Sequence, residues 1–168
     1  MNAMYTAMDS PLGQLTLLGS PEALTGIYFE GHRSMPGKEQ WGTEEPKQPI
    51  FTQAIRQLED YFSGRRTDFE LPIATHGSEL QEKVWQLLRE LPYGSTTSYG
   101  ELAEQLGDRH LAQAVGAAVG ANPLSIVIPC HRVVGKDGKM TGYAGGIDRK
   151  LYLLELEEPE SSKAGKLF

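Results

Sequence analysis

The first half of the chain alternates before it turns helical. Gln14-Leu15-Thr16-Leu17-Leu18 and Leu24-Thr25-Gly26-Ile27-Tyr28-Phe29, punctuated by Gly13, Gly19 and Pro21, predict short antiparallel strands or a hairpin. From Gly31 to Pro49 there is no sustained period, and Gly, Pro, Glu and Lys predominate, so this stretch reads as a loop with Trp41 as a local anchor. Phe51, Ile55, Leu58 and Phe62 then recur at helical spacing, flanked by Ala54 and Tyr61, until Gly64 stops the element. Thr67 to Leu71 predicts one more strand ahead of Pro72, which makes residues 1–75 a small α/β unit.

After Thr75 the period is helical. Ser78 with Gln81 has the form of a capping box, and Leu80, Val84, Leu87, Leu88 and Leu91 supply one apolar face up to Pro92-Tyr93-Gly94. Ser98 with Glu101 offers a second box, Leu102, Ala103 and Leu106 an inward face, and Gly107 a C-cap. The stretch from Leu111 to Ala121 is aliphatic on one face and small elsewhere. Taken on periodicity alone, the pair fits simple helical packing better than helix-turn-helix DNA binding. Leu124 to Ile128 reads as a short apolar strand or a buried extended segment, Gly135 to Lys139 as the turn of a small wing or hairpin, and Ile147, Leu151 and Leu154 as the inward face of a last helix.

Composition narrows the class. With 168 residues and 39% hydrophobic content the chain can build one domain or two small ones. No apolar run is long enough for a membrane span, and the N-terminus lacks a signal-peptide pattern, so a cytoplasmic location and no membrane partner are expected. The net charge of -6 argues against nucleic acid on its face. It is unevenly spread: residues 1–75 hold 6 basic and 10 acidic side chains, whereas residues 109–150 hold 6 basic and 2 acidic, a local net of +4.

That basic window contains the only cysteine, Cys130, followed by His131, one of four histidines, and Arg132. A lone cysteine cannot close an intrachain disulfide and remains available as a thiol. In a flat strand Cys130 and His131 would face opposite sides, so cooperation requires a turn or helix start there, which would also aim backbone N–H groups at the sulfur and lower its pKa. One of Glu155, Glu157 and Glu158 could reach His131 and hold its tautomer. One Cys and one His without a second close pair do not make a zinc site, so no metal and no cofactor are expected. His32 and His76 read as surface or loop residues.

Pro129-Cys130-His131-Arg132-Val133, preceded by Asn122-Pro123 and followed by Gly142-Tyr143-Ala144-Gly145-Gly146, resembles the active-site signature of the O6-alkylguanine-DNA alkyltransferases. Val84-Trp85, Pro92-Tyr93-Gly94, Ser98-Tyr99 and Ala114-Val115-Gly116 extend the likeness over residues 78–158. The resemblance implies an α/β (α+β) fold: a ribonuclease-H-like domain with an antiparallel sheet over residues 1–75, and over 76–168 a mostly helical domain with a helix-turn-helix and wing. It implies a monomer that acts on double-stranded DNA from the minor groove, flips an O6-alkylguanine and moves the alkyl group irreversibly to Cys130, once per molecule.

By the same resemblance, His131 takes the thiol proton through a water, Glu157 orients the imidazole and Asn122 braces the turn. Tyr99 donates toward the guanine, Tyr143 packs on the base, the Ala144 amide faces O6, and the carbonyls of Cys130 and Val133 accept from the exocyclic amine. Arg132 is counted with the substrate-binding residues. Gln113 stands where the family places an arginine that fills the gap left by the flipped base, and Ala121 where a polar or basic residue is usual, which implies weaker DNA binding or slower extrusion, with Arg109 in partial compensation. Two other readings, a noncatalytic alkyltransferase-like lesion sensor and a cysteine hydrolase unrelated to DNA, fit less well, because sensors of that kind lack the cysteine.

Overall fold

In the computed structural model, which describes residues 3–32, 35–135 and 142–158, the alternating segments form a meander. Strands β1 (Met4–Met8), β2 (Leu15–Gly19) and β3 (Leu24–Phe29) pair antiparallel, with Met8 opposite Leu15 and Leu15 opposite Phe29. The loop after Gly31 contributes one short strand, β4 (Thr43–Glu44), parallel to β1, so the sheet order is β3-β2-β1-β4. Trp41 anchors that loop: its ring meets Tyr5 edge-on at 5.2 Å, and its indole N–H donates to the Pro36 carbonyl at 3.0 Å. His32 lies in the loop after β3, as expected, but is buried against Tyr28 and Phe29, whereas His76 is exposed.

Helix α1 (Pro49–Phe62) lies against β2 and buries Ile50, Phe51, Ala54, Gln57, Leu58 and Tyr61. The strand expected at Thr67 to Leu71 is absent. The buried Gln57 amide explains why: it donates to the Glu70 carbonyl at 3.1 Å and accepts the Glu70 N–H at 2.9 Å. A side chain thus satisfies the backbone groups a strand partner would have taken. Pairing is confined to Ile73, where the Leu24 N–H donates to the Pro72 carbonyl and the Ala74 N–H to the Leu24 carbonyl.

The helices of the second half follow their caps. Helix α2 (Glu79–Arg89) begins with a complete Ser78/Gln81 capping box. Helix α3 (Tyr99–Gln105) has half of one, because the Ser98 side chain accepts from the Glu101 N–H while the Glu101 carboxylate takes the Thr97 hydroxyl instead. Gly107, at φ +94°, ends α3 in a Schellman turn, with its own N–H on the Glu104 carbonyl and that of Asp108 on the Ala103 carbonyl. Asp108 then caps a 3₁₀ turn (Arg109–Leu111) that leads into α4 (Ala112–Gly120). Helices α3 and α4 pack together as a helix-turn-helix, and the Trp85 indole N–H ties α2 to the Ala118 carbonyl at 2.9 Å.

Two expectations fail in ways that matter for the site. Leu124 to Ile128 is no strand but a tight reversal with Ile126 at φ +75°, a left-handed conformation rare for a β-branched residue. The Val127 N–H closes on the Ser125 carbonyl at 2.9 Å and the Ile128 N–H on the Leu124 carbonyl at 2.8 Å. This reversal docks on the free edge of β3, where the Ile27 N–H donates to the Pro123 carbonyl and the Ser125 N–H to the Ile27 carbonyl. The last helix, α5 (Ile147–Glu157), buries Lys150, Leu153 and Glu157, whereas Ile147 and Leu151 are 43% and 42% exposed. Its inward face is therefore rotated from the aliphatic one, because two charged side chains are recruited to the interior. The wing expected after Gly135 falls largely on residues 136–141, outside the described residues.

Replacing Gln57 by leucine leaves the Glu70 backbone groups unpaired, and should lower stability to urea by about 2 kcal/mol with the sheet intact by circular dichroism.

Candidate active site

The site is built on the two ends of the reversal. At its start Asn122, 2% exposed, accepts the Leu124 N–H at 2.9 Å and donates to the Ile128 carbonyl at 2.7 Å, spanning the turn with one side chain. At its end Pro129 (φ -80°, ψ 67°) makes a second tight bend, closed by the Cys130 N–H on the Ile128 carbonyl at 2.8 Å. Cys130–Arg132 then forms a single 3₁₀ turn. Beyond it Val134 and Arg132 exchange backbone hydrogen bonds with Thr97, which fastens the turn to the segment just before α3.

Tight turns in place of a strand let consecutive residues serve one centre. His131 and Arg132 both converge on Glu157, the last residue of α5. The imidazole Nε2 lies 2.8 Å from Glu157 Oε2, and the guanidinium donates from Nε to Oε1 at 2.8 Å and from a terminal nitrogen to Oε2 at 2.9 Å. A carboxylate only accepts, so His131 carries its proton on Nε2, and Nδ1 is left with the lone pair. Nδ1 is buried and has no protein hydrogen-bond partner among the described residues. Arg132 also donates to the Leu91 carbonyl at 2.7 Å and lies 5.8 Å from the centre of the Tyr93 ring. The Tyr61 hydroxyl, from α1, donates to Glu157 Oε2 at 2.5 Å.

The thiol, 6% exposed, opens on a cavity of about 170 Å³ lined by Tyr99, Gly116, Val119, Gly120, Cys130, Gly142, Tyr143 and Ala144. Tyr99, Cys130, Tyr143 and Ala144 are thus brought together, with Asn122, His131 and Glu157 directly behind. Arg132 is not on that wall. Its guanidinium is committed to Glu157 and Leu91, so the geometry gives it a supporting place instead of a contact with substrate. It lines a separate space of about 370 Å³ with Tyr93 and Pro129. Val133 is fully buried, and Gln113 is exposed on α4; neither lines the cavity. Arg109, on the 3₁₀ turn before α4, is held by Glu104 at 3.2 Å.

Burial dominates the electrostatics. It pushes the Cys130 thiol up, against the opposing effects of Asn122, Tyr143 and Lys150, so the resting group is a neutral thiol; the lowered pKa expected of the turn is corrected. Burial lowers His131 despite the pull of Glu157, which keeps the imidazole neutral and able to accept a proton. For Glu157 burial alone would raise the pKa, but the hydrogen bonds and charges of His131 and Arg132 prevail and hold it at about 2. Lys150, 1% exposed, is brought down to about 8 by burial and favours negative charge on Cys130.

Lys150, Tyr61 and Tyr93 are functional neighbours that the sequence reading did not assign. Lys150, Leu153 and Glu157 share a helical face at i, i+3, i+7, a pattern visible in the sequence once charged residues are allowed inward. Tyr61 gives no such signal, because its partner lies 96 residues away. Among the described residues no group of three or more His, Cys, Asp or Glu side chains could hold a metal.

Two family models match the chain: one described as "6-O-methylguanine DNA methyltransferase, ribonuclease-like domain" over residues 3–75, the other as "6-O-methylguanine DNA methyltransferase, DNA binding domain" over residues 79–159. A methylated-DNA–protein-cysteine methyltransferase of Mycolicibacterium paratuberculosis is 47% identical over 98% of this chain and 98% of its own length. A protein of the same name from Methanosarcina acetivorans is 42% identical over 91% of this chain and 97% of its own length. The structure of Mycobacterium tuberculosis OGT in complex with DNA matches with a TM-score of 0.85 at 43% identity, covering 95% of this chain and 97% of that one.

Two outcomes follow from the charges. The Glu157 pKa is depressed in the folded state from 4.5 to about 2, so its stabilisation is complete above pH 4.5 and disappears as the pH falls toward 2. Glu157→Gln should therefore flatten the acid limb of a stability-against-pH curve, which in wild type amounts to roughly 3 kcal/mol. Lys150→Met should move the reaction of Cys130 with iodoacetamide to higher pH; an unmoved profile would show that Lys150 does not act on the thiol.

Proposed function

Since the chain belongs to the 6-O-methylguanine DNA methyltransferase family, we propose that Cys130 is the acceptor in a direct-reversal repair reaction on O6-alkylguanine in double-stranded DNA. The supporting observation is the Cys130 thiol at the floor of a cavity walled by Tyr99, Tyr143 and Ala144, with the His131–Glu157 pair behind it.

The resting thiol is neutral, and an alkyl carbon needs a thiolate. His131, with a free Nδ1 lone pair and its other nitrogen held by Glu157, takes the proton through a water, and Lys150 favours the charge left on sulfur. Sulfur then attacks the alkyl carbon in line. An S–C bond forms as the C–O6 bond breaks, and the electron pair departs with the guanine oxygen, where Tyr99 and the Ala144 amide supply donors. The departing guaninate takes up one proton, matching the one His131 received from the thiol, so the products are an S-alkylcysteine thioether and a restored neutral guanine. A thioether has no ready leaving group, so each molecule acts once. Donor and acceptor are complete in the DNA and the protein, so the substitution needs no cofactor.

The base must leave the stack to reach the thiol. Helix α4 is suited to lie in the minor groove because, of its exposed positions Gln113, Ala114, Ala117 and Gly120, all but Gln113 are small enough to allow close approach. Gln113 fills the vacated position without a charge, and Arg109 is paired with Glu104 at 3.2 Å, so flipping is the weak step. We read residues 1–75 as the supporting domain and residues 76–168 as the DNA-binding and acceptor domain. We read the active form as a monomer, the described residues of one chain lining the cavity around the thiol, and a lone free cysteine suits the cytoplasm. Among the described residues no helix is long and apolar enough to cross a membrane. The acceptor reading is preferred to a noncatalytic sensor because the cysteine is present with the His131–Glu157 pair behind it.

Incubation with a duplex containing O6-methylguanine should add one methyl group, located by peptide mass at Cys130 and absent in Cys130→Ser; no mass gain under reducing conditions would overturn the proposal. Gln113→Arg should raise the rate on duplex DNA several-fold and leave the rate on the free alkylated base unchanged. An equal duplex rate for the two proteins would refute a flipping defect.

A further inference from the structure

We propose that Tyr61, from the N-terminal half, is a positioning residue for the alkyl transfer: its hydroxyl donates to the Glu157 oxygen that also holds His131, and so sets the pH range over which the imidazole can accept the thiol proton. The proposal rests on the acceptor reading above and adds a role for the N-terminal half, none of whose described residues lines the cavity.

Tyr61 is the last residue of the buried face of α1 and is fully buried, with its ring in contact with Phe62, Phe69 and Tyr93. Packing alone would be met by a phenylalanine. The hydroxyl has one specific partner, Glu157 Oε2, at 2.5 Å, within the short range of charge-assisted O–H···O⁻ bonds. That oxygen also accepts from His131 Nε2 at 2.8 Å and from Arg132 at 2.9 Å, and Oε1 takes Arg132 Nε at 2.8 Å. Oε2 thus accepts three hydrogen bonds and Oε1 one, so the donors crowd onto the oxygen that holds the imidazole. Burial and the adjoining carboxylate both push the Tyr61 hydroxyl up, so it remains a donor at every working pH.

A donor on a shared oxygen draws negative charge away from the histidine that shares it. With Tyr61 in place, Glu157 fixes the Nε2–H tautomer without holding a second proton on the imidazole at rest. Without it, Oε2 faces His131 with more charge and less restraint. The imidazole then binds a proton at higher pH, and a protonated His131 cannot take one from Cys130. The charged and titratable groups facing this centre from every packed element are Glu157 and Lys150 on α5, Arg132 and Cys130 on the catalytic turn, Tyr93 after α2 and Tyr143 beside the thiol. None of the others donates to Oε2 except Arg132, whose guanidinium charge does not vary with pH.

The test compares full-length wild type with Tyr61→Phe by two measurements. One is the imidazole titration of His131 by NMR without DNA, assigned against His131→Gln. The other is the rate of methyl transfer from an O6-methylguanine duplex across pH. The expected result is a His131 midpoint raised by about half to one pH unit, with transfer reduced ~3- to 10-fold below that midpoint and much less above it. Superimposable titrations, or a loss of rate equal at all pH values, would overturn the proposal and reduce Tyr61 to packing. If the phenylalanine variant does not fold, 3-fluorotyrosine at position 61 keeps the shape and makes the hydroxyl a stronger donor. The midpoint must then fall, and an unchanged or raised midpoint overturns the proposal. Failure of wild type to accept methyl would count against the acceptor reading alone, because the titration needs no substrate.

Discussion

The structure depends on one buried carboxylate. Glu157 is 2% exposed and carries its charge because four hydrogen bonds reach it, from Tyr61, His131 and twice from Arg132. Removing a charge from water costs several kcal/mol and is recovered only with such complete pairing. Each donor belongs to a different part of the fold or ties one in: α1 through Tyr61, the catalytic turn through His131, and the end of α2 through the second grip of Arg132 on the Leu91 carbonyl. The same group that orients the imidazole therefore closes the C-terminal helix onto the rest of the protein.

Around that node the Cys130 thiol, the acceptor in the proposed transfer, is kept quiet. A thiol raised by burial is a poor target for oxidants and stray electrophiles, which suits a residue that can be used once. Reactivity has to be assembled on demand. The His131 imidazole, the base in the proposed transfer, is already neutral with its tautomer fixed, and the buried Lys150 favours negative charge on Cys130. The strained Ile126 and the bend at Pro129 are what place these groups around one sulfur, and Asn122 holds that geometry from both ends.

Much of this was legible in the sequence where local rules govern. Caps at Ser78, Ser98 and Gly107, the period of α1 and the alternation of β2 and β3 report their own conformation, and the structure repeats them. Cys130 and His131 stand out as candidates because cysteine and histidine are few, whereas the residues alone leave Glu155, Glu157 and Glu158 open and only the family resemblance singles out Glu157. What escaped was decided by tertiary partners. Leu124 to Ile128 has the composition of a strand but is bent by Asn122 and by the edge of β3. The strand expected at Thr67 to Leu71 is displaced by the Gln57 amide. In α5 an aliphatic face is left outside because Lys150 and Glu157 have stronger claims on the interior, and hydrophobicity does not register such claims. Arg132, two residues after Cys130, faces the carboxylate and not the cavity, since a 3₁₀ turn rotates each successive residue by about 120°.

The docking of the catalytic reversal on β3 runs through main-chain atoms at Ile27, Pro123 and Ser125, as does that of the interdomain segment at Leu24, Pro72 and Ala74. Such bonds are blind to side-chain identity. The sheet can accept other apolar residues at these sites and still present the same edge, so the supporting half can drift in sequence without loosening its hold on the half that carries the thiol. Only a residue lacking the N–H breaks that freedom, and at positions 24 and 27 proline is the substitution that heredity cannot make quietly.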